Sequence, residues 1–98
     1  MPKRNRYDTY KCIKYLLKDR TPDTQIFVRN LQSKTITLDV CLNDSLLVVK
    51  WLVFQREGIL SIQEQNLWFS GRMLHDTMSL EDQGITAEAT LHLTARFL

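Results

Sequence analysis

Two cysteines and two histidines are the side chains best suited to nucleophilic or metal chemistry: Cys12, Cys41, His75 and His92. A nucleophilic cysteine needs a base beside it, and a metal needs clustered ligands. The sequence has no H-E-x-x-H pair, G-x-S-x-G turn or glycine-rich phosphate loop. Cys41 has no evident base, so we interpret it as a half-buried apolar residue. We therefore expect no enzyme activity, no catalytic residue, no metal, no cofactor and no small-molecule substrate.

The unrelated spacing of the cysteines is typical of an intracellular chain with free thiols rather than of a disulfide scaffold. The basic N-terminus lacks the apolar segment and cleavage site of a secretory signal. No apolar run approaches the roughly 18 residues that a membrane-spanning helix needs. These features predict a cytoplasmic and/or nuclear protein with no membrane partner.

Charge divides the chain into a basic arm and a slightly acidic body. Residues 1–23 carry seven basic and three acidic side chains, and residues 24–98 carry six basic and eight acidic side chains. A modest basic arm is more often a solvated tail than a nucleic-acid contact. The body also lacks the interleaved aromatic and basic side chains of a single-strand-binding sheet. We therefore expect no nucleic-acid partner.

Hydrophobic periodicity places the elements that position these side chains. Apolar residues alternate with polar ones over 25–30 and 35–40, which predicts a β-hairpin. A helix is expected over 46–56, ended near Gly58. Further strands are expected over 67–69 and 90–96, and the arm has helical spacing over 7–18. By periodicity alone, this is a small α+β domain.

Four runs in this order resemble ubiquitin: QIFVRNLQSKTITLDV at 25–40, REGI at 56–59, LWFSGRML at 67–74 and ATLHL at 89–93. The resemblance covers nearly all of residues 24–98. It implies a β-grasp roll, in which a mixed sheet packs on one helix and the last strand lies parallel to the first. The expected organisation is a basic, partly helical arm at 1–23 and a ubiquitin-like domain at 24–98.

The resemblance also indicates a recognition surface. Ubiquitin is bound chiefly through a leucine in its first turn, an isoleucine in its third strand and a valine in its last strand. The side chains at or beside these positions here are Leu31, Trp68, Gly71, His92 and Thr94. Tryptophan is a frequent binding hot spot, so we expect an altered but usable patch. Phe27 matches a second, smaller patch of the family.

The expected helix is apolar on nearly every side, which ubiquitin's is not. Leu46, Val49 and Val53 are expected to face the sheet, which leaves an outer helix face of Leu47, Val48, Trp51 and Leu52. A helix that is apolar all round is normally buried all round. The arm stripe of Tyr10, Ile13, Leu16 and Leu17 is one candidate cover; a homodimer or another partner are the alternatives.

Two further departures bear on conjugation. The family's lysines are replaced at five body positions, by Arg29, Leu52, Arg56, Arg72 and Ala87. Lys34 and Lys50 remain, and we expect Lys50 to be buried. The tail reads Thr94-Ala95-Arg96-Phe97-Leu98, whereas ubiquitin-like modifiers end in Gly-Gly.

These features predict a non-conjugated ubiquitin-like module that docks to ubiquitin-binding domains, proteasomal receptors or ubiquitin-pathway enzymes. One alternative is an adaptor that keeps the fold but binds a different partner, or itself, through the outer helix face. Another is a modifier whose sequence here stops before a Gly-Gly. The sequence leaves all three open.

Overall fold

A computed structural model describes residues 21–96 of the chain. Its strands are β1 (Thr24–Arg29), β2 (Thr35–Val40), β3 (Gln65–Phe69), β4 (Arg72–Met73) and β5 (Thr90–Ala95). One α-helix, α1 (Leu46–Glu57), follows β2, and short 3₁₀ turns lie at Ile62–Glu64 and Glu81–Gln83. The expected arm helix over 7–18 lies outside the described residues.

The five strands form one mixed sheet in the order β2-β1-β5-β3-β4. β1 pairs antiparallel with β2 and parallel with β5, and β3 pairs antiparallel with both β5 and β4. The last strand therefore lies at the centre of the sheet, beside the first. With α1 packed on one side, this is the expected β-grasp.

The period-2 pattern of the strands decides which side of the sheet is buried. Ile26 and Val28 of β1 and Leu91 of β5 are almost completely buried, and they pack against Leu46 and Val49 of α1. Each such side chain contributes roughly 1.5–3 kcal/mol relative to leaving it in water. Their neighbours along the strands are placed on the other, open face of the sheet.

The β1–β2 turn explains why β1 ends one residue earlier than expected. Asn30 leaves the strand because its side-chain Oδ1 accepts hydrogen bonds from the backbone N–H groups of Gln32, at 2.9 Å, and Lys34, at 3.0 Å. Ser33 adopts a left-handed conformation, with φ at 63°. Glycine is the usual residue for such a position, so the turn keeps its shape despite the serine.

Main-chain contacts determine where α1 begins and ends. Ser45 occupies the N-cap position, but its side chain makes no capping hydrogen bond. The first helical N–H groups donate instead to the loop after β4, from Leu46 to the Met78 carbonyl at 3.1 Å and from Leu47 to the Asp76 carbonyl at 3.2 Å. At the other end, Gly58 is left-handed, as expected, and its N–H donates to Phe54 at 2.8 Å.

Candidate functional site

The open face of the sheet brings several of the expected recognition residues together. Trp68 of β3 lies directly opposite His92 of β5, and His92 lies opposite Arg29 of β1. Side chains that are paired across strands project to the same face. Trp68 is half-buried, whereas His92 is exposed, so the indole forms a platform next to an accessible imidazole.

Thr94 is joined to the tryptophan by a hydrogen bond. The Trp68 Nε1–H donates to Thr94 Oγ1 at 2.8 Å across the β3–β5 pair. Both residues are half-buried. The polar atom of the indole is therefore satisfied within the sheet, and the remaining ring surface is apolar.

The β3–β4 hairpin adds two residues to this platform. Ser70 and Gly71 form its two-residue connection with φ values of 53° and 77°. Positive φ at both positions is characteristic of the type I′ turn, which matches the twist of a hairpin. That turn places Met73, which is 49% exposed, opposite Trp68. Gly71 is thus required by the turn as well as being next to the platform.

Leu31 lies in the β1–β2 turn, at the end of the sheet towards which β5 runs. It is 73% exposed. Together with Ile59, Leu93 and Ala95 it lines an open groove of about 190 Å³. Ile59, beyond the end of α1, is 76% exposed.

We refer to Leu31, Trp68, Gly71, His92 and Thr94 as the Trp68 surface.

Phe27 lies on the same open face as His92 but in the next row, opposite Thr90 and Thr37. It is half-buried. The structure thus places Phe27 on the sheet face that carries Trp68, two residues along β1 from Arg29.

Sequence reasoning did not identify Met73 or Ile59 as exposed apolar residues beside these positions. Met73 could have been found, because a two-residue Ser-Gly turn fixes the register that sets it opposite Trp68. Ile59 could not, because an apolar residue just after a helix-ending glycine usually packs back on the helix.

The outer helix face is largely buried, which is the expectation for a helix that is apolar on nearly every side. Val48 is 3% exposed and Trp51 is 9% exposed. Trp51 is covered in part by Ile62, since the connection from Gly58 to β3 folds back over the helix. Leu52 packs against the main core, and Leu47 is half-buried beside Trp51. Val48 and Trp51 are therefore covered, and Leu47 and Leu52 are half-buried.

The remaining candidates for chemistry within residues 21–96 occupy structural or solvent-facing positions, and Cys12 lies outside the described residues. Cys41 is half-buried, and its Sγ donates to the Thr21 carbonyl at 3.3 Å. His75 is exposed. Within residues 21–96, no group of three or more His, Cys, Asp or Glu side chains could hold a metal ion. No helix in that part of the chain is long and apolar enough to cross a membrane.

The two lysines of the described body are both paired. Lys50 is buried, as expected, and its Nζ lies 2.6 Å from Asp76 Oδ1. The Lys34 side chain is 61% exposed and its Nζ lies 3.2 Å from Glu57 Oε2. Of the two, only Lys34 offers an amine that is accessible to another protein.

Comparison with known proteins agrees with the β-grasp fold. The sequence matches the family model described as "Ubiquitin family" over residues 26–98. The chain belongs to the ubiquitin family. This fold typically serves binding to other proteins rather than catalysis.

Three relatives illustrate the match. A Caenorhabditis briggsae protein, ubiquitin-like protein 1-ribosomal protein eS31 fusion protein, is 38% identical over 73 residues, which are 74% of this chain and 41% of that protein. The 2'-5'-oligoadenylate synthase-like protein 1 of Rattus norvegicus is 33% identical over 89 residues, 91% of this chain and 17% of that protein. The Mus musculus protein of the same name is 32% identical over 87 residues, which are 89% of this chain and 16% of that protein. The chain thus spans less than half of each relative.

Proposed function

We propose that this ubiquitin-like domain is a non-covalent docking module for ubiquitin-binding domains, proteasomal receptors or ubiquitin-pathway enzymes. The observation that carries the proposal is the Trp68 platform. It lies on the open face of the sheet with an accessible His92 beside it, where ubiquitin has its own recognition patch. A large aromatic residue that is partly covered by its neighbours is a typical anchor for a partner's apolar side chain.

The charges around this platform indicate the chemistry of the partner. Arg29 lies opposite His92 on the open face of the sheet, and it is exposed. A basic group beside an apolar centre favours a partner that presents an acidic residue beside an apolar side chain. We therefore propose a short segment, helical or extended, with this pattern as the ligand.

The lysines support docking rather than service as a chain-building acceptor. Lys50 is buried against Asp76. An ammonium held in that way is not presented to a conjugating enzyme. Lys34 remains accessible, so it is the one lysine of the body that could accept an isopeptide bond.

The relatives are consistent with a module. In each of the three, the matched stretch is a minor part of a longer protein. A ubiquitin-like domain carried within a larger protein usually acts through its surface, which is the use that we propose for the Trp68 surface here.

An NMR titration tests this proposal. The ¹⁵N-labelled full chain is titrated with a ubiquitin-interacting helix from a proteasomal receptor, and amide and indole shifts are followed. We expect the largest changes at Trp68, Gly71 and His92, with little change at Leu47 and Phe54. Changes confined to Leu47 and Phe54 would instead support the adaptor alternative, and the absence of any change at saturating peptide would contradict docking of this class.

A further inference from the structure

An exposed methionine lies at one edge of the sheet, beside the Trp68 platform. Met73 belongs to β4, the last strand in the sheet order, and it is 49% exposed. The next residue, Leu74, is buried in the main core. Because successive residues of an extended chain point to opposite sides of a sheet, the Met73 side chain projects to the open face, where Trp68 lies.

The hydrogen-bond pattern of the β3–β4 hairpin brings Met73 close to Trp68. The Leu74 N–H donates to the Leu67 carbonyl at 2.8 Å, and Met73 is the partner of Trp68 across the strands. Hydrogen-bonded and non-hydrogen-bonded residue pairs alternate along an antiparallel ladder, so Trp68–Met73 is a non-hydrogen-bonded pair. The Cα atoms of such a pair lie about 4.5 Å apart, which is the closer of the two spacings. The thioether of Met73 is therefore within reach of the indole.

A methionine at this position offers a contact that chemistry can remove. Its unbranched side chain and polarisable sulfur pack favourably against aromatic rings and adapt to irregular partner surfaces. Oxidation to the sulfoxide turns the same side chain polar. The sulfoxide oxygen then has to lose its hydration when an apolar partner side chain covers it, which costs binding free energy.

We propose that Met73 contacts the docked partner beside the Trp68 surface, and that its oxidation by a peroxide weakens docking. The proposal rests on the docking function proposed above. A lone pair of the Met73 Sδ attacks one peroxide oxygen, so that an S–O bond forms and the O–O bond breaks. The sulfur is oxidised to the sulfoxide, while the other peroxide oxygen is reduced and leaves as water or an alcohol. A methionine sulfoxide reductase with a thiol donor reverses the change.

The other sulfur atoms of residues 21–96 lie away from this platform. Met78 is 39% exposed, but its carbonyl accepts the Leu46 N–H at 3.1 Å, at the start of α1. That helix packs on the face opposite to Trp68. Cys41 directly follows β2, which lies at the other end of the sheet order from β4. Within this range, Met73 is therefore the oxidisable sulfur that can control the Trp68 surface.

Oxidation of matched variants tests the proposal in the full chain. The parent chain, Met73→Leu and Met78→Leu are treated with dilute hydrogen peroxide, and dithiothreitol then returns reversibly oxidised cysteines to thiols. Mass spectrometry locates the sulfoxides, and the Kd is measured for the ubiquitin-interacting helix from a proteasomal receptor. We expect oxidation to raise the Kd of the parent chain and of Met78→Leu about fivefold, and to leave that of Met73→Leu within about twofold, because leucine keeps the apolar contact but cannot be oxidised. Treatment with the reductase should restore the Kd of the parent chain.

Trp68 fluorescence reports on the same step without any ligand. In a Trp51→Phe background, Trp68 is the remaining tryptophan. Because Met73 is its cross-strand partner, we expect peroxide to change Trp68 emission in Met78→Leu and not in Met73→Leu. Equal changes in the two variants would contradict the proposal, since the effect would then come from another oxidised residue.

The Kd values distinguish failure of this proposal from failure of the docking function. A parent chain that binds the helix equally well before and after oxidation of Met73 would contradict control by Met73 and leave docking intact. Equal weakening of the oxidised parent chain and oxidised Met73→Leu would do the same. A reduced parent chain that does not bind the helix would contradict the docking function, and the proposal for Met73 would fall with it.

Discussion

At the scale of single residues, the Trp68–Thr94 hydrogen bond links two departures from ubiquitin. The family has isoleucine and valine at these positions, and neither side chain forms hydrogen bonds. A half-buried indole N–H without a partner would cost about 1–3 kcal/mol. Thr94 supplies the missing acceptor at 2.8 Å from the neighbouring strand. The threonine therefore allows the sheet to carry a tryptophan without an unsatisfied donor.

Replacing Thr94 by valine tests this link. Thr94→Val keeps the branched shape that strands favour but removes the acceptor, so we expect the free energy of unfolding to fall by about 1 kcal/mol. The indole N–H resonance of Trp68 should shift and exchange faster with solvent. Thr90→Val is the matched control, because Thr90 lies on the same side of β5 and is exposed. Equal effects of the two substitutions would contradict the link.

The sequence could predict the members of the Trp68 surface but not all of their contacts. Trp68 and His92 follow from strand alternation and from the resemblance. The hydrogen bond to Thr94 depends on the rotamer of the indole, which no spacing rule specifies. The groove between Leu31 and Ile59 depends on how the β1–β2 turn and the end of α1 approach each other, which is a tertiary property.

At the scale of elements, Asp76 attaches the loop after β4 to the start of α1 in two ways. Its carbonyl accepts the Leu47 N–H at 3.2 Å. Its carboxylate lies 2.6 Å from the Lys50 ammonium, and the Lys50 side chain is only 8% exposed. An ionised amine at this depth depends on its counter-charge, so the pair fixes the loop on the helix.

A double-mutant cycle measures that coupling. Asp76→Ala leaves the Lys50 ammonium without this carboxylate, and we expect it to cost about 1–3 kcal/mol of unfolding free energy. In the double variant Lys50→Met/Asp76→Ala, the buried charge is gone, so part of this loss should be recovered. Urea denaturation of the parent chain, Asp76→Ala, Lys50→Met and the double variant provides the measurement. If the losses of the two single variants simply add in the double variant, Lys50 and Asp76 are not coupled.

The elements themselves were largely predictable, whereas the surroundings of α1 were not. Gly58 predicted the end of the helix because a left-handed residue is common there, and alternation predicted the hairpin. Trp51 lies on the outer side of the helix, and the all-round apolar pattern predicted that this side is covered. Ile62, in a connection without periodicity, contributes part of that cover. No local pattern indicates that this connection folds back.

At the scale of the whole molecule, the two apolar surfaces lie on different sides of the sheet. Trp68, His92 and Thr94 lie on the open face of the sheet, and α1 packs on the opposite face. The other two members of the Trp68 surface, Leu31 and Gly71, lie in turns. A ligand on the first therefore leaves the second accessible. The topology that separates them was not derivable from periodicity alone. It followed from the resemblance to ubiquitin, and the central, parallel position of β5 confirms it.

The central claim is that this domain docks through Trp68. The most direct test is the Kd of the receptor helix for the parent chain, for Trp68→Ala, and for Met78→Ala as a control. Met78 is an exposed apolar residue outside the Trp68 surface, at 39% exposure. We expect Trp68→Ala to weaken binding at least about tenfold, the factor that about 1.4 kcal/mol represents, and Met78→Ala to leave it within about twofold. An unchanged Kd for a folded Trp68→Ala variant would contradict the claim.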